Sequence, residues 1–162
     1  MTWFRCGIKN NEYKVLDSII DHTITSFKAN YTTIKQQLLS GCNLLTDVDL
    51  PEVTSISAYG FALCSSLTII DFPKLTNIAS NAFTYCTSLE TIILRSDTMC
   101  TLEATSGFYD SKFWKTTGNG GKLYVPQSLI TSYENDSVWS TLLGRNANNQ
   151  VLAIEGSPYE EV

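Results

Sequence analysis

Apolar residues recur along the middle of the chain with a fixed period. Laying residues 45–66 over residues 67–88 pairs Leu45 with Leu67, Val48 with Ile70, Leu50 with Phe72, Pro51 with Pro73, Val53 with Leu75, Ile56 with Ile78, Phe61 with Phe83 and Cys64 with Cys86. A repeat of 22 residues is the signature of a solenoid of stacked coils. Within each unit, Leu-x-x-Val-x-Leu ending at a proline sends alternate side chains to one face, as in a short strand buried on one side. Pro51 and Pro73 stop these strands, because proline has no N–H to give to a ladder. Residues 57–64, rich in alanine and leucine, predict about one helical turn, too short to stand alone.

The copies on either side are irregular. A third opens with Leu89, Ile92 and Leu94, but Arg95 replaces the proline, Phe108 arrives 25 residues after Phe83, and Ser111 takes the cysteine slot. Upstream, Ile34, Leu39 and Cys42 fill the slots of Ile56, Phe61 and Cys64, after a looser opening at Ile24, Thr25 and Phe27. Downstream, Leu123, Val125 and Pro126 echo Val48, Leu50 and Pro51. Burial within one coil is of the same order as the entropy lost in ordering it, so neighbours must cover both of its faces and the ends must be atypical. This divides the chain into an N-terminal cap at 1–23, a solenoid at 24–126, and a C-terminal helical cap and tail at 127–162. In the last, Leu129, Tyr133, Val138, Trp139 and Leu142 make a helical apolar stripe with an interruption near Asn135. Residues 151–154 can add a final strand, and the acidic stretch 157–162 reads as loose.

The string FALCSSLTIIDFPKLTNIASNAFTYCTSLETIIL resembles the BspA-like leucine-rich repeat family, whose units run Ala-Phe-x-x-Cys-x-x-Leu-x-x-Val-x-Ile-Pro. The resemblance covers residues 24–126 and implies an α/β solenoid with short parallel strands, an irregular N-terminal cap and a helical C-terminal cap. It also implies a binding or structural role, since members serve as surface adhesins, cell-wall-associated proteins and phage structural proteins. Val53 and Leu75 stand where receptor-type repeats carry asparagine or cysteine, so no asparagine ladder is expected. The flanks SIIDHTITSFKANYTTI and LYVPQSLITSYENDSVWSTL, and the start MTWFR, resemble those of small repeat proteins encoded by phages and prophages of gut Firmicutes.

Composition narrows the function classes. With 162 residues, 43% of them hydrophobic, the chain can bury one continuous core. A net charge of −5 and the lack of any Lys/Arg cluster argue against nucleic acid. No apolar run is long enough for a membrane span. Residues 1–10 lack the apolar core of a secretory signal, which predicts folding in the cytoplasm of the producing cell. Cys42, Cys64 and Cys86 should stack in a column as buried thiols packed like small hydrophobes, their parallel directions disfavouring a bridge. Cys6 and Cys100 lie outside it, and the sequence leaves their exposure open. His22 has no neighbouring ligand set, so no metal or cofactor is expected.

Two candidate chemistries fail on inspection. Asp49 and Asp71 share a slot one coil apart, near the carboxylate separation of a retaining glycosidase, but an open solenoid face offers no water-excluding cleft to split their environments. Residues 118–122 imitate a phosphate loop, yet Leu123 replaces the Ser or Thr that must hold magnesium.

Binding surfaces are more productive. Asp47, Ile69 and Thr91 form one outward column and Asp49, Asp71 and Ile93 a second, with Arg95 at the edge. In this register Ile69 and Ile93 are exposed, which suits a protein or glycan partner. Trp3 and Phe4 either cap the first coil or anchor the chain in an assembly. The expectation is a non-enzymatic protein- or glycan-binding module of a phage virion, on tail or head. Its partners would be other virion proteins or the host surface, and a homo-oligomer is compatible. The alternative is a BspA-like cell-surface adhesin or interaction protein of a bacterium or protist.

Overall fold

The computed structural model describes residues 22–115 and 120–160. Trp3, Phe4, Cys6 and residues 118–119 of the glycine-rich stretch lie outside the described residues. The chain winds as a solenoid with two columns of parallel strands. The first column contains β1 (Ser26–Lys28), β3 (Asp47–Asp49), β5 (Ile69–Asp71), β7 (Thr91–Ile93), β9 (Lys122–Val125) and β10 (Gln150–Ala153). The second contains β2 (Thr33–Ile34), β4 (Ser55–Ile56), β6 (Asn77–Ile78) and β8 (Thr101–Leu102). Ladders run β2-β4-β6-β8 in the second column, while the first divides between β3 and β5 into β1-β3 and β5-β7-β9-β10. The first column carries the strands expected from the Leu-x-x-Val-x-Leu pattern. The two-residue strands of the second column are too short for alternation to announce them.

Register follows the repeat. Val48 stands beside Phe27, and Ile70, Ile92 and Leu123 face one another across β5, β7 and β9. Inside, Phe61, Phe83 and Phe108 stack nearly parallel, with ring centroids 5.2 and 5.3 Å apart. Beside them Cys42, Cys64, Cys86 and Ser111 are fully buried. The three thiols and Cys100 are not halves of disulfides. Cys64 and Cys86 donate from Sγ to the carbonyls of Leu39 and Phe61, one coil back, at 3.2 and 3.0 Å. Ser111 turns its hydroxyl onto Phe108 of its own coil instead, at 2.7 Å. A threonine column runs along the outside: the Thr54 hydroxyl donates to the Thr32 carbonyl and that of Thr76 to the Thr54 carbonyl, at 3.1 and 3.2 Å.

Residues 57–64 do not form the helical turn that their composition predicts. Gly60, Ala62 and Cys64 donate their N–H groups three residues back, to Ser57, Tyr59 and Phe61, whereas Phe61 and Leu63 donate to Ala82 and Thr84 of the next coil. A helix over these residues would turn the Phe61 and Leu63 donors back onto its own carbonyls. Alternating them ties neighbouring coils together, and it demands left-handed backbone at two positions per turn. Those positions are Gln37, Tyr59 and Asn81 in one column and Gly41, Leu63, Tyr85 and Asp110 in the other, all with φ between 58° and 83°.

The C-terminal end is closed by α1 (Ile130–Asn135) and α2 (Ser137–Leu143). Asp136 breaks them apart, its carboxylate accepting from the N–H groups of Val138 and Trp139 as the N-cap of α2. Tyr133 and Trp139 are buried and clamp Cys100 from both sides. The Cys100 N–H donates to the Tyr133 hydroxyl and the Trp139 indole donates to the Cys100 carbonyl, both at 2.8 Å. Cys100 is itself fully buried, and burial pushes its thiol up to about 12. Burial likewise raises the Tyr133 hydroxyl.

Candidate functional site

The outward face of the first strand column is not the continuous open surface that its pattern predicts. Over β1 and β3 it is open: Asp47 and Asp49 are exposed, and Lys28 reaches Asp49 at 3.5 Å. Over β5 to β10 it is covered around Ile93 and Tyr124, while Lys122 and Gln150 at the starts of β9 and β10 stay exposed. Ile93 is fully buried and Thr91 nearly so, which corrects the expectation that Ile93 is exposed. Ile69 is half-buried and packs with Leu152 and Tyr159 against a small cluster of Ile93, Tyr124 and Ile154. The cause is β10, which pairs in parallel beyond β9 and carries the following segment back over the sheet.

Arg95 fastens that segment. Its Nε and Nη2 donate to the two carboxylate oxygens of Asp71 at 2.8 and 2.7 Å, and its Nη1 donates to the Tyr159 carbonyl at 2.8 Å. The Tyr159 ring meets Tyr124 edge-on at 4.7 Å, so the stretch expected to be loose is docked through Tyr159. Arg95 and Asp71 thus serve the fold, and the seven candidates divide. Asp47 and Asp49 remain open to a partner, whereas Ile69, Asp71, Thr91, Ile93 and Arg95 are largely occupied within the chain. The two stacked aspartates are not an acid–base pair, since Asp71 is locked by a guanidinium and Asp49 faces solvent beside a lysine. Among the described residues, no group of three or more His, Cys, Asp or Glu side chains is placed to hold a metal ion. No helix among them is long and apolar enough to cross a membrane.

The surface that the pattern did not reveal lies on the turns. Among the described residues, the exposed large apolar side chains are Leu44, Tyr59, Leu63, Tyr85 and Tyr109, and all but Leu44 belong to the turn that carries the left-handed columns or directly adjoin it. Gly41 donates to Ala62, Leu63 to Thr84 and Tyr85 to Tyr109 through their N–H groups, so the positions follow one another along the solenoid. Tyr85 and Tyr109 meet edge-on at 5.4 Å and Tyr109 continues to Trp114 at 4.9 Å. Arg145 closes this line, its guanidinium 3.7 Å above the Trp114 ring. The spacing of Leu63 and Tyr85 was visible as a 22-residue offset, but nothing in residue type alone marks a leucine or tyrosine as left-handed and outward.

Stacked coils with parallel strands, a phenylalanine spine and a cysteine column define a leucine-rich repeat solenoid. The family model for the BspA type leucine rich repeat region matches residues 8–120 in six copies, and the chain belongs to that family. The match begins upstream of the resemblance noted at residues 24–126. No curated protein and no solved structure matches the chain. Repeat domains of this class are typically binding modules that mediate protein–protein interaction.

Proposed function

We propose that the chain is a non-enzymatic module that binds a protein or glycan through the outside of its solenoid, and that it does so as a component of a phage virion, on tail or head. The observation that supports a binding role is the turn edge. Leu63 and Tyr85 are 50% and 44% exposed, and with Tyr59 and Tyr109 they gather four of the five exposed large apolar side chains among the described residues on one set of turns. The virion placement is supported by the resemblance of the flanking segments to small repeat proteins of phages and prophages. In that setting the partners are other virion proteins or the surface of the host.

The experiment is quantitative mass spectrometry of purified particles induced from a strain that encodes the chain. Recovery at a fixed copy number relative to the major capsid protein supports the virion placement. Depletion from particles together with recovery on cell envelopes replaces it with a cell-surface adhesin.

A further inference from the structure

The last strand of its sheet is β10, in the order β5-β7-β9-β10. It is anchored at its start by Asn149, whose Nδ2 reaches the carbonyls of Phe113, Leu142 and Leu143 at 3.1, 3.3 and 3.0 Å and whose Oδ1 accepts from the Gly121 N–H at 2.7 Å. Gln150 and Ile154 donate their N–H groups to Gly121 and Val125, so the backbone groups of residues 150, 152 and 154 turn to β9. Those of Val151 and Ala153 turn the other way, where no strand lies among the described residues. Burial shows that this flank is open. Val151 and Ala153 stand in register with Leu123 and Val125 of β9, yet Leu123 and Val125 are fully buried while Val151 and Ala153 are half-buried. Proteins guard the strand that ends a sheet with a lysine, a proline, an inward charge or a bulge. Residues 150–154, Gln-Val-Leu-Ala-Ile, carry none of those side chains, and the unbroken register with β9 leaves no bulge. An ordered, unguarded, apolar edge is a template for another strand.

We propose that β10 pairs antiparallel with β10 of a second copy of this chain, about a two-fold axis through Leu152, and so joins the two solenoids end to end. Self-complementarity selects this occupant. With Leu152 at the centre, Val151 of each copy lies opposite Ala153 of the other, and every outward N–H and C=O of both strands finds a partner. Leu152 then meets its own counterpart in a non-hydrogen-bonded pair, where side chains approach most closely. Gln150 falls opposite Ile154 and Asn149 opposite Glu155, so no like charges face each other. Neighbouring registers fit less well. Centring on Val151 sets Ala153 against Asn149, whose N–H is already given to Asn146. Centring on Ala153 sets Val151 against Glu155, where the chain is turning away into Gly156 at a φ of 76°. A two-fold pair also closes at two copies, whereas head-to-tail addition of copies continues into a filament.

The test uses the full chain carrying Cys6→Ser, so that the remaining native thiols are the buried Cys42, Cys64, Cys86 and Cys100. Sedimentation from micromolar to sub-millimolar concentration should show a reversible equilibrium between one copy and two. Ala153→Pro removes only an outward N–H, which an edge strand tolerates; it should keep the parent's circular dichroism and weaken dimerisation tenfold or more. Leu152→Cys should form a disulfide-linked dimer in air, because the central pair holds its Cα atoms roughly 4.5 Å apart, within the reach of a disulfide. Gln150→Cys, equally near the edge but four residues from its opposite number in this register, should stay unlinked. Leu152→Lys and Leu152→Glu should each be monomeric and should dimerise when mixed. If either charge loosens the cover over Ile93, the cysteine pair and Ala153→Pro still decide. A chain that stays monomeric over the whole range, with no cross-link in Leu152→Cys, overturns the proposal. So does dimerisation that Ala153→Pro leaves intact, or cross-linking of Gln150→Cys as fast as that of Leu152→Cys. Growth past two copies also overturns it, replacing the two-fold pair with head-to-tail addition.

Discussion

Phe83 sits between Phe61 and Phe108 at centroid distances of 5.2 and 5.3 Å and is fully buried. Replacing it by alanine leaves a gap in the middle of the spine that neither neighbour can fill, because each is stacked on its own coil. Phe83→Ala should cost about 3–5 kcal/mol in urea unfolding. Burial holds the Cys100 thiol at about 12 against an ordinary 9.0. The native chain therefore keeps this proton to a higher pH than the unfolded chain. Its contribution is constant below pH ~9 and declines as pH rises toward 12, by at most ~1.4 kcal/mol per pH unit. Cys64, raised by its hydrogen bond with Cys86 and by burial, adds a decline of the same sign. Cys100→Ala should reduce the stability lost between pH 7.5 and 10.5 by about 2 kcal/mol, as read by denaturant midpoints at the two pH values. An unchanged loss would show that Cys100 is not held protonated.

Arg95 belongs to the scale of elements because it joins three of them: its own strand edge, Asp71 at the end of β5, and the docked segment at Tyr159. Arg95 is shielded but Asp71 is about a third exposed, so solvent screens part of the pair. Arg95→Ala should cost about 1–2 kcal/mol and free the segment. Amide exchange should rise over residues 155–160 and a hydrophobic dye should find Ile69 and Ile93, while exchange in β4 and β6 stays at the parent level. These elements also divide what can be read in advance from what cannot. Val48, Ile70 and Ile92 announce their strands because each fills the same inward slot of the 22-residue repeat, and the Leu129-to-Leu142 stripe lies where α1 and α2 form. The cover over Ile93 is different. It depends on β10 pairing with β9 across 28 residues, as Val151 does with Leu123, and local alternation carries no information about which strand a distant segment will join. The turn departs from its local preference for a related reason: alanine and leucine favour a helix locally, and the ladder to the neighbouring coil overrides that preference.

The whole molecule behaves as a stack, in which each coil touches chiefly its neighbours and stability is a sum of coil and interface terms. The regular part keeps its 22-residue step in both strand columns and in the ion pair of Lys74 with Glu52 at 2.7 Å. Removing residues 67–88 therefore brings β3 against β7 and β4 against β8, sets Phe61 on Phe108, and keeps every inward slot filled. That deletion should fold as a shorter solenoid with the parent's circular dichroism per residue and a lower denaturant midpoint. Removing residues 67–77 instead takes away β5 and leaves Ile78 and Phe83 in half a coil that cannot close against its neighbours, and it should leave an aggregating chain. The helical end is a different case. Removing residues 127–160 takes away Tyr133 and Trp139, which cover Cys100 and Phe108, and it exposes the edge of β9, inviting association with further copies. A well-folded monomer from that truncation, judged by light scattering and cooperative unfolding, would mean that the coils hold themselves without a cover at this end. The helices would then be an attachment rather than part of the folding unit.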